Sequence, residues 1–532
     1  MKTFKSQFLK QLSLQAKIHA SGMDVDQHEE LRHSRRKFLN TSLKAGAALG
    51  IASTIPLLNS CKLNSHNNTN AEKATLSQKP KVAIIGAGIA GLTCAHYLKE
   101  AGIDTYEIYD MLKRTGGRMH TINEILPGLT QDIGGEFVDT GHAEMLNLIQ
   151  KFKLETNSYC GDALYKGDGK EWYHIQGKRY TIKQVFNEFT GYWEQVQKDL
   201  ESCGDNYDTP SAIQLDHLNL EQYLGRIGIS GWLKELLRSA YLSEYGLDLH
   251  ENSALNFIDM VNISDANEVM LYGDSDECYS IKGGVQSLIN ELTADVGKLN
   301  LEHKLVEISK VNNGYSLIFE NGKTTFVDIV VITIPFTVLR DVKIDVGTVN
   351  PKKLKAIKEL GYGQNAKLFL GFDERIWRTK YKTMGYLYHD KIHNGWDSSF
   401  GQTNNEGPGI YTVFLGGKDA VYLAENKKDV QKFVNMYLPE LDKVYPGIKK
   451  QYNDTAEIAW WPKSKIIKGS YSAFLPGQWT EVMPYIAEPI DERILFAGEH
   501  CSYDFQGFMN GGAQTGKDTA MKILEMVGVK RG

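Results

Sequence analysis

"KVAIIGAGIAGLTCAHYL", residues 81–98, decides the fold. Lys81 to Ile85, bounded by Pro80 and Gly86, read as a buried parallel strand. The run breaks into Gly86-x-Gly88-x-x-Gly91 and resumes with helical spacing. Gly86 permits a tight turn, Gly88 lets backbone N–H groups approach a pyrophosphate, and Gly91 lets the helix lie close on the strand. Ile89 and Ala90 start that helix, where unpaired N–H donors and the positive end of the dipole face any phosphate.

A second strand, "DTYEIYD" (104–110), ends at Asp110, roughly twenty residues beyond the last glycine, where a carboxylate receives ribose hydroxyls. Strand, turn, helix, strand and terminal acid therefore come in the order of a dinucleotide-binding unit. "KRTGGRMHT" (113–121) follows. Gly117 allows another close backbone approach, and the guanidinium fork of Arg118 answers phosphate charge. A nicotinamide-binding fold has no ordinary need for this second clamp. "QDIGGEFVDTG" (131–141) then sets Gly134, Gly135, Glu136 and Phe137 beside a flat ligand.

The chain has 532 residues, enough for two or three domains with ample core. A net charge of -5 gives no basic field, so no nucleic-acid partner is expected. Eight Trp, 27 Tyr and 20 Phe supply material for an aromatic-lined pocket. Of the six cysteines none stands in a C-x-x-C pair, and no metal site is expected. Cys94 reads as a small core residue. Cys160 and Cys203 are the candidate pair for a disulfide in an oxidising compartment.

The first 80 residues read as an address. Ser34-Arg35-Arg36-Lys37-Phe38-Leu39 resembles the twin-arginine export signal, and the weakly apolar segment after it is too short to span a membrane comfortably. Leu58-Asn59-Ser60-Cys61 resembles a lipobox, with Asn59 departing from the usual small residue. Residues 1–61 are thus expected to be a signal, Cys61 a possible lipid anchor, and residues 62–80 a polar tether. The predicted partners of this segment are the export machinery and, through Cys61, membrane lipid.

At the far end, "RILFAGEHCSYDFQGFMNGGAQTGKDTAMKIL" (493–524) combines a strand, Gly498-Glu499, a glycine-rich bend and a closing helix. With "YSIKGGVQSLINEL" (279–292), "LVEISKV" (305–311) and "VDIVVITIPFTVLRDV" (327–342), it resembles the flavin-containing amine oxidases from about Lys81 to the C-terminus. That resemblance implies FAD. It adds Val306, Trp461, Gly498, Glu499, Phe508 and Met509 to the cofactor-binding residues read above. It also implies oxidation of an amine to an imine, with oxygen reduced to hydrogen peroxide; the cofactor carries the chemistry and the protein positions it.

Three catalytic positions follow from the resemblance. Lys367, in "YGQNAKLFLGF" (362–372), matches the lysine that holds a water beside the flavin; on a strand it shares a face with Phe369, opposite Ala366, Leu368 and Leu370. Tyr471 and Phe508 match the two walls of an aromatic sandwich. Ser470 stands where mammalian members carry a flavin-bonded cysteine, so FAD is expected to be non-covalent. L-amino-acid oxidases and tryptophan 2-monooxygenases resemble the chain over the same length. They commonly carry an arginine soon after the segment matching "IGGEFV", whereas here no arginine follows before Lys151 and Glu136 and Asp139 would repel a carboxylate. Amines are therefore favoured over amino acids, and a non-catalytic FAD carrier is the alternative of another class.

The expected architecture is α/β, α+β overall. A Rossmann-like FAD-binding domain is assembled from residues 80–145, 278–335 and 455–532. A helical insert spans 146–277 with a hairpin near 165–182, and a substrate-binding domain with a mixed sheet spans 336–454.

Overall fold

The computed structural model describes residues 79–529, apart from 265, 404, 462, 463 and 465. The export motif at Arg35-Arg36, the candidate anchor Cys61 and residues 62–78 lie outside the described residues.

The apolar run forms a strand, Val82–Ile85, with all four residues buried. It is the middle strand of a five-stranded parallel sheet ordered Leu299–Asn300, Tyr106–Tyr109, Val82–Ile85, Ile329–Ile332, Ile494–Phe496. A strand with neighbours on both edges and cover on both faces must be apolar throughout. Val82 and Ile84 pack among Leu92, Ala513, Ala520 and Ile523, which come from the helices Ile89–Glu100 and Met509–Met526. Ala83 and Ile85 face the other way, toward Ile308, Leu317 and Phe319. Those residues belong to a four-stranded sheet ordered Thr324–Val327, Gly314–Phe319, Leu305–Val311, Lys343–Asp345. Cys94 is fully buried in the helical layer, and burial pushes its thiol up to about 12, which makes it an inert core residue.

Glycines set how closely these layers approach. Gly86 has φ +116, a conformation that L side chains rarely adopt. A Cβ on Gly91 would lie 2.0 Å from the Gly86 carbonyl, and one on Gly516 would lie 2.3 Å from that of Ala90. The helices therefore cross backbone to backbone above the turn.

A seven-stranded mixed sheet lies beyond, ordered Tyr452–Trp460, Asn365–Phe372, Gly409–Gly416, His393–Asp397, Tyr386–His389, Glu171–Ile175, Lys178–Tyr180. The hairpin expected within residues 165–182 is present, turning at Gln176 and Gly177, both with positive φ. It completes the edge of this sheet rather than merely interrupting helices. Strand Asn365–Phe372 sends Ala366, Leu368, Leu370 and Phe372 into one core cluster, while Phe369 joins another. The period-2 alternation leaves Lys367 on the Phe369 side. Helix Ile182–Cys203 begins with a capping box between Thr181 and Gln184, and helix Gly231–Tyr245 ends at Gly246 in the left-handed region.

One sequence expectation is corrected here. Cys160 bonds Cys278, not Cys203. Cys203 ends a helix with its thiol directed to the Asp199 carbonyl at 3.3 Å, fully buried, so it has no route to a partner. The pairing joins positions 118 residues apart, which no local pattern marks.

Candidate active site

A cavity with about 1890 Å³ of unfilled space, its open mouth included, begins at the carboxyl ends of four strands of the parallel sheet. Gly86 and Gly88 follow the middle strand Val82–Ile85, Asp110 follows Tyr106–Tyr109, Thr333 to Pro335 follow Ile329–Ile332, and Gly498 and Glu499 follow Ile494–Phe496. Loops at that end of a parallel sheet build ligand sites, because the helix N-termini and the free strand ends converge there.

The phosphate end fits an anion. Gly88 caps the helix Ile89–Glu100 with no side chain, which leaves first-turn N–H groups unpaired. A Cβ on Gly88 would meet nothing nearer than the Gly116 carbonyl at 4.0 Å, so it would fill the open cradle. Gly117 faces it across the Gly88–Gly116 bridge. Arg118 donates through Nη1 to Glu499 Oε1 and to the Ser470 carbonyl, both at 2.8 Å. Burial works against the Glu499 charge. The charges of Arg118 and His500 and the hydrogen bond from Ser472 nevertheless hold its carboxyl below the usual range.

Asp110 reaches the cavity with its oxygens already engaged. Oδ2 accepts from Ala87 N at 2.8 Å and Oδ1 from Leu112 N at 2.7 Å, so it also clamps the glycine turn. Burial raises its pKa, and those two backbone donors oppose the rise. Gly134, Gly135, Glu136, Phe137, Trp461 and Met509 line the cavity, as do Ile89 and Ala90. Gly91 does not; its place is under the helix crossing. Val306 is likewise not brought to the cavity wall, and sits on the strand Leu305–Val311. Two amide donors on the wall, Asn394 Nδ2 and Gln506 Nε2, are buried with no hydrogen-bond partner. Unsatisfied donors of this kind suit a polar ligand.

Lys367, Tyr471 and Phe508 are brought to the same cavity. Lys367 is 5% exposed, and its ammonium donates to Asp132 O at 2.8 Å, Gly134 O at 3.0 Å and Glu136 Oε2 at 2.9 Å. An ammonium has three hydrogens, so this arrangement uses all of them and leaves none for a water. Glu136 Oε1 also accepts from Trp396 Nε1 at 3.0 Å. The Tyr471 hydroxyl donates to the Glu244 carbonyl, at the end of helix Gly231–Tyr245. Phe508 precedes helix Met509–Met526 and packs edge-on against His142 at 5.3 Å. The tautomer of His142 is set by its neighbours: Nδ1 accepts from Asp139 N at 3.0 Å, which leaves Nε2 to donate toward Asp139 Oδ2 at 3.1 Å. Burial lowers its pKa to about 4, so it stays neutral.

Sequence reasoning missed two of the next three acids of this wall, Glu244 and Glu277. Asp139, Glu244 and Glu277 line the cavity from three separate loops or helix ends. Burial raises Glu244 to about 7, with the Asp139 charge adding to it. Asp139 rises to about 6 by burial, and Glu277 stands well above the carboxylate range for the same reason, Asp139 again adding. In the sequence these acids look like any solvated polar residue; only Asp139 stood close enough to a motif to be singled out. Asp276 lies within ligand distance of Cys160 and Cys278, but both sulfurs are taken up in the disulfide.

The profile of the family described as flavin containing amine oxidoreductase matches residues 89–524. The L-amino-acid oxidase of Bothrops atrox is 22% identical over 488 residues, covering 86% of this chain and 91% of its own. Polyamine oxidase 1 of Zea mays is 21% identical over 513 residues, covering 91% and 97%. The solved cyclohexylamine oxidase of Brevibacterium oxydans shares the fold, with a TM-score of 0.69 at 19% identity over 84% of this chain and 99% of that one.

Two outcomes follow. Lys367→Met strands the Glu136 carboxylate in a buried site, which costs about 3–5 kcal/mol; adding Glu136→Gln should restore part of it, as read by thermal unfolding of the holoprotein. Glu244 holds its proton more tightly folded than unfolded, so its contribution to stability is present at low pH and lost as pH rises from the ordinary carboxylate range through about 7. The melting temperature should therefore fall less between pH 5 and pH 8, roughly the span of that titration, in Glu244→Gln than in the parent.

Proposed function

The chain belongs to the flavin-containing amine oxidoreductase family, and from that premise we propose that it oxidises the carbon–nitrogen bond of an amine rather than of an amino acid, with FAD held non-covalently. The charge on the cavity wall carries this reading. Glu136, Asp139, Glu244 and Glu277 face the space, while its cations among the described residues, Lys367 and Arg118, pair with Glu136 and Glu499. A substrate carboxylate would meet acids and no unpaired cation there. An ammonium would meet acids that its own charge draws toward ionisation.

Gly88, Ile89, Ala90, Gly117 and Arg118 would hold the phosphates, Asp110 the ribose, and Gly134, Gly135, Trp461 and Met509 the ring. Bound FAD would supply a two-electron acceptor that oxygen regenerates with release of hydrogen peroxide. Tyr471 and Phe508 would flank the substrate, each fixed by its own anchor. Lys367 would hold Glu136 and the Gly134 carbonyl in place rather than act on the amine. The reacting nitrogen must lose its proton; an alkylamine of pKa near 10.4 does so at pH 7 at a cost of about 4.6 kcal/mol. Desolvation between Tyr471 and Phe508 would lower that cost by disfavouring the ammonium. Ser470, bonded through its hydroxyl to Asn365 Oδ1 at 2.6 Å, offers no thiol for a covalent link, which supports non-covalent binding.

Export by the twin-arginine route, with Cys61 as a lipid anchor, is part of the same proposal. The Cys160–Cys278 bond supports it, since disulfides persist in oxidising compartments.

Under nitrogen, primary and secondary amines should bleach the flavin absorbance, and in air the same compounds should yield peroxide, while free amino acids do neither. Bleaching by amino acids alone would turn the assignment toward the second class of relatives. Acid precipitation should leave yellow FAD in the supernatant.

A further inference from the structure

The strands Thr156–Ser158 and Tyr279–Ile281 pair antiparallel, and their ladder closes with Tyr159 N donating to the Cys278 carbonyl at 2.8 Å. Just past that point the Cys160–Cys278 bond ties the two segments together. On one side it ties the cavity wall. Tyr272, Ser275 and Glu277 line the cavity, and the segment that carries them ends at Cys278. Glu277, next to Cys278, has φ +46, strained for a side chain of its size, so its place depends on restraint. Its N–H donates to Asp139 Oδ1 at 2.9 Å, and its carboxyl bonds Tyr386. The bonds from the Thr140 N–H and hydroxyl to the Asp276 carboxylate are exposed, and exposed hydrogen bonds open readily. Tyr272 is anchored separately, its hydroxyl donating to the Ala240 carbonyl at 3.2 Å. Opening the disulfide therefore frees the Glu277 end of the segment and leaves the Tyr272 end in place.

We propose that Cys160 and Cys278 are a reversible thiol–disulfide site that sets the amine affinity of the cavity, the oxidised form holding Glu277 on the wall and the reduced form releasing it. This rests on the amine reading above and adds a control on that site. Cys160 is partly exposed and Cys278 is buried, so Cys160 is the sulfur that an outside reagent meets first. A disulfide-type oxidant closes the pair by exchange. The Cys160 thiolate attacks one sulfur of the oxidant and expels the other as a thiolate; the Cys278 thiolate then attacks the Cys160 sulfur and expels the first. Two protons leave the cysteines and two electrons reduce the oxidant to thiols. Together with the proposed export, the pair distinguishes compartments. Before export it meets reducing thiols and stays open; afterwards an oxidising compartment closes it. Amine capture, and with it peroxide release, is then confined to the exported protein.

The test follows flavin bleaching under nitrogen over a range of concentrations of the amine that bleaches it fastest. Three forms of the holoenzyme are compared: oxidised, reduced with dithiothreitol and then desalted, and Cys160→Ser. Reduction should weaken the apparent amine affinity about tenfold, the worth of one charge-assisted contact. The limiting bleaching rate should stay within about twofold, because the lost contact lies away from the reacting bond. Oxidised glutathione should restore the affinity of the reduced parent and leave Cys160→Ser unchanged. If that variant fails to fold, the reduced and reoxidised parent decides alone. In Glu277→Gln, reduction should move the affinity by less than about twofold, since the acid it releases is gone. Hydrogen exchange over residues 272–278 should quicken on reduction. Equal affinity of the oxidised and reduced forms, unchanged exchange, or an effect of reduction that survives Glu277→Gln overturns the inference. If amines bleach both forms alike, only this inference fails; if none bleaches either form, the amine reading fails and takes this inference with it.

Discussion

One ammonium holds the site together. Lys367 reaches from the seven-stranded sheet and donates to the carbonyls of Asp132 and Gly134 and to the carboxylate of Glu136. The glycine pair that follows Asp132 therefore cannot move without breaking a buried charge-assisted bond. Glu136 in turn is held by Trp396, from another strand of the same sheet. Burial makes the arrangement rigid: an ion pair shielded from water is costly to assemble and more costly to break by halves.

Around that anchor the molecule concentrates acids where water is scarce. Asp139, Glu244 and Glu277 each come from a different part of the chain and each is driven toward its protonated form by burial. A fold retains such a group only when something offsets its desolvation. The Ser275 hydroxyl and the Glu277 N–H do so for Asp139, and the Tyr386 hydroxyl for Glu277. The phosphate end shows the opposite balance, with open helix N–H groups and an Arg118–Glu499 pair poised beside them.

Much of this was legible in the residues. The strand and turn at 81–88 are local consequences of apolar runs and glycine, so they appear in the structure, the strand starting one residue later than expected, at Val82. Alternation placed Lys367 on the correct face of its strand for the same reason. Lys367, Tyr471 and Phe508, read from resemblance, do share one cavity. Other readings met physics that no short segment reports. Asp110 grips backbone as well as facing the cavity, Val306 stays away from the wall, and Cys160 pairs with Cys278 because two loops meet at a Cα separation of 5.2 Å.

The sequence by itself determined the dinucleotide-type unit, the strand that carries Lys367 and the absence of a thiol at position 470, since each depends on neighbours within a few residues. Only the tertiary structure decided that three acceptors would claim all the hydrogens of Lys367, and that Glu244 and Glu277 would converge beside Asp139. Those facts arise from long-range packing, where the position of a side chain is set by residues more than a hundred places away in the chain, about the span of a small domain.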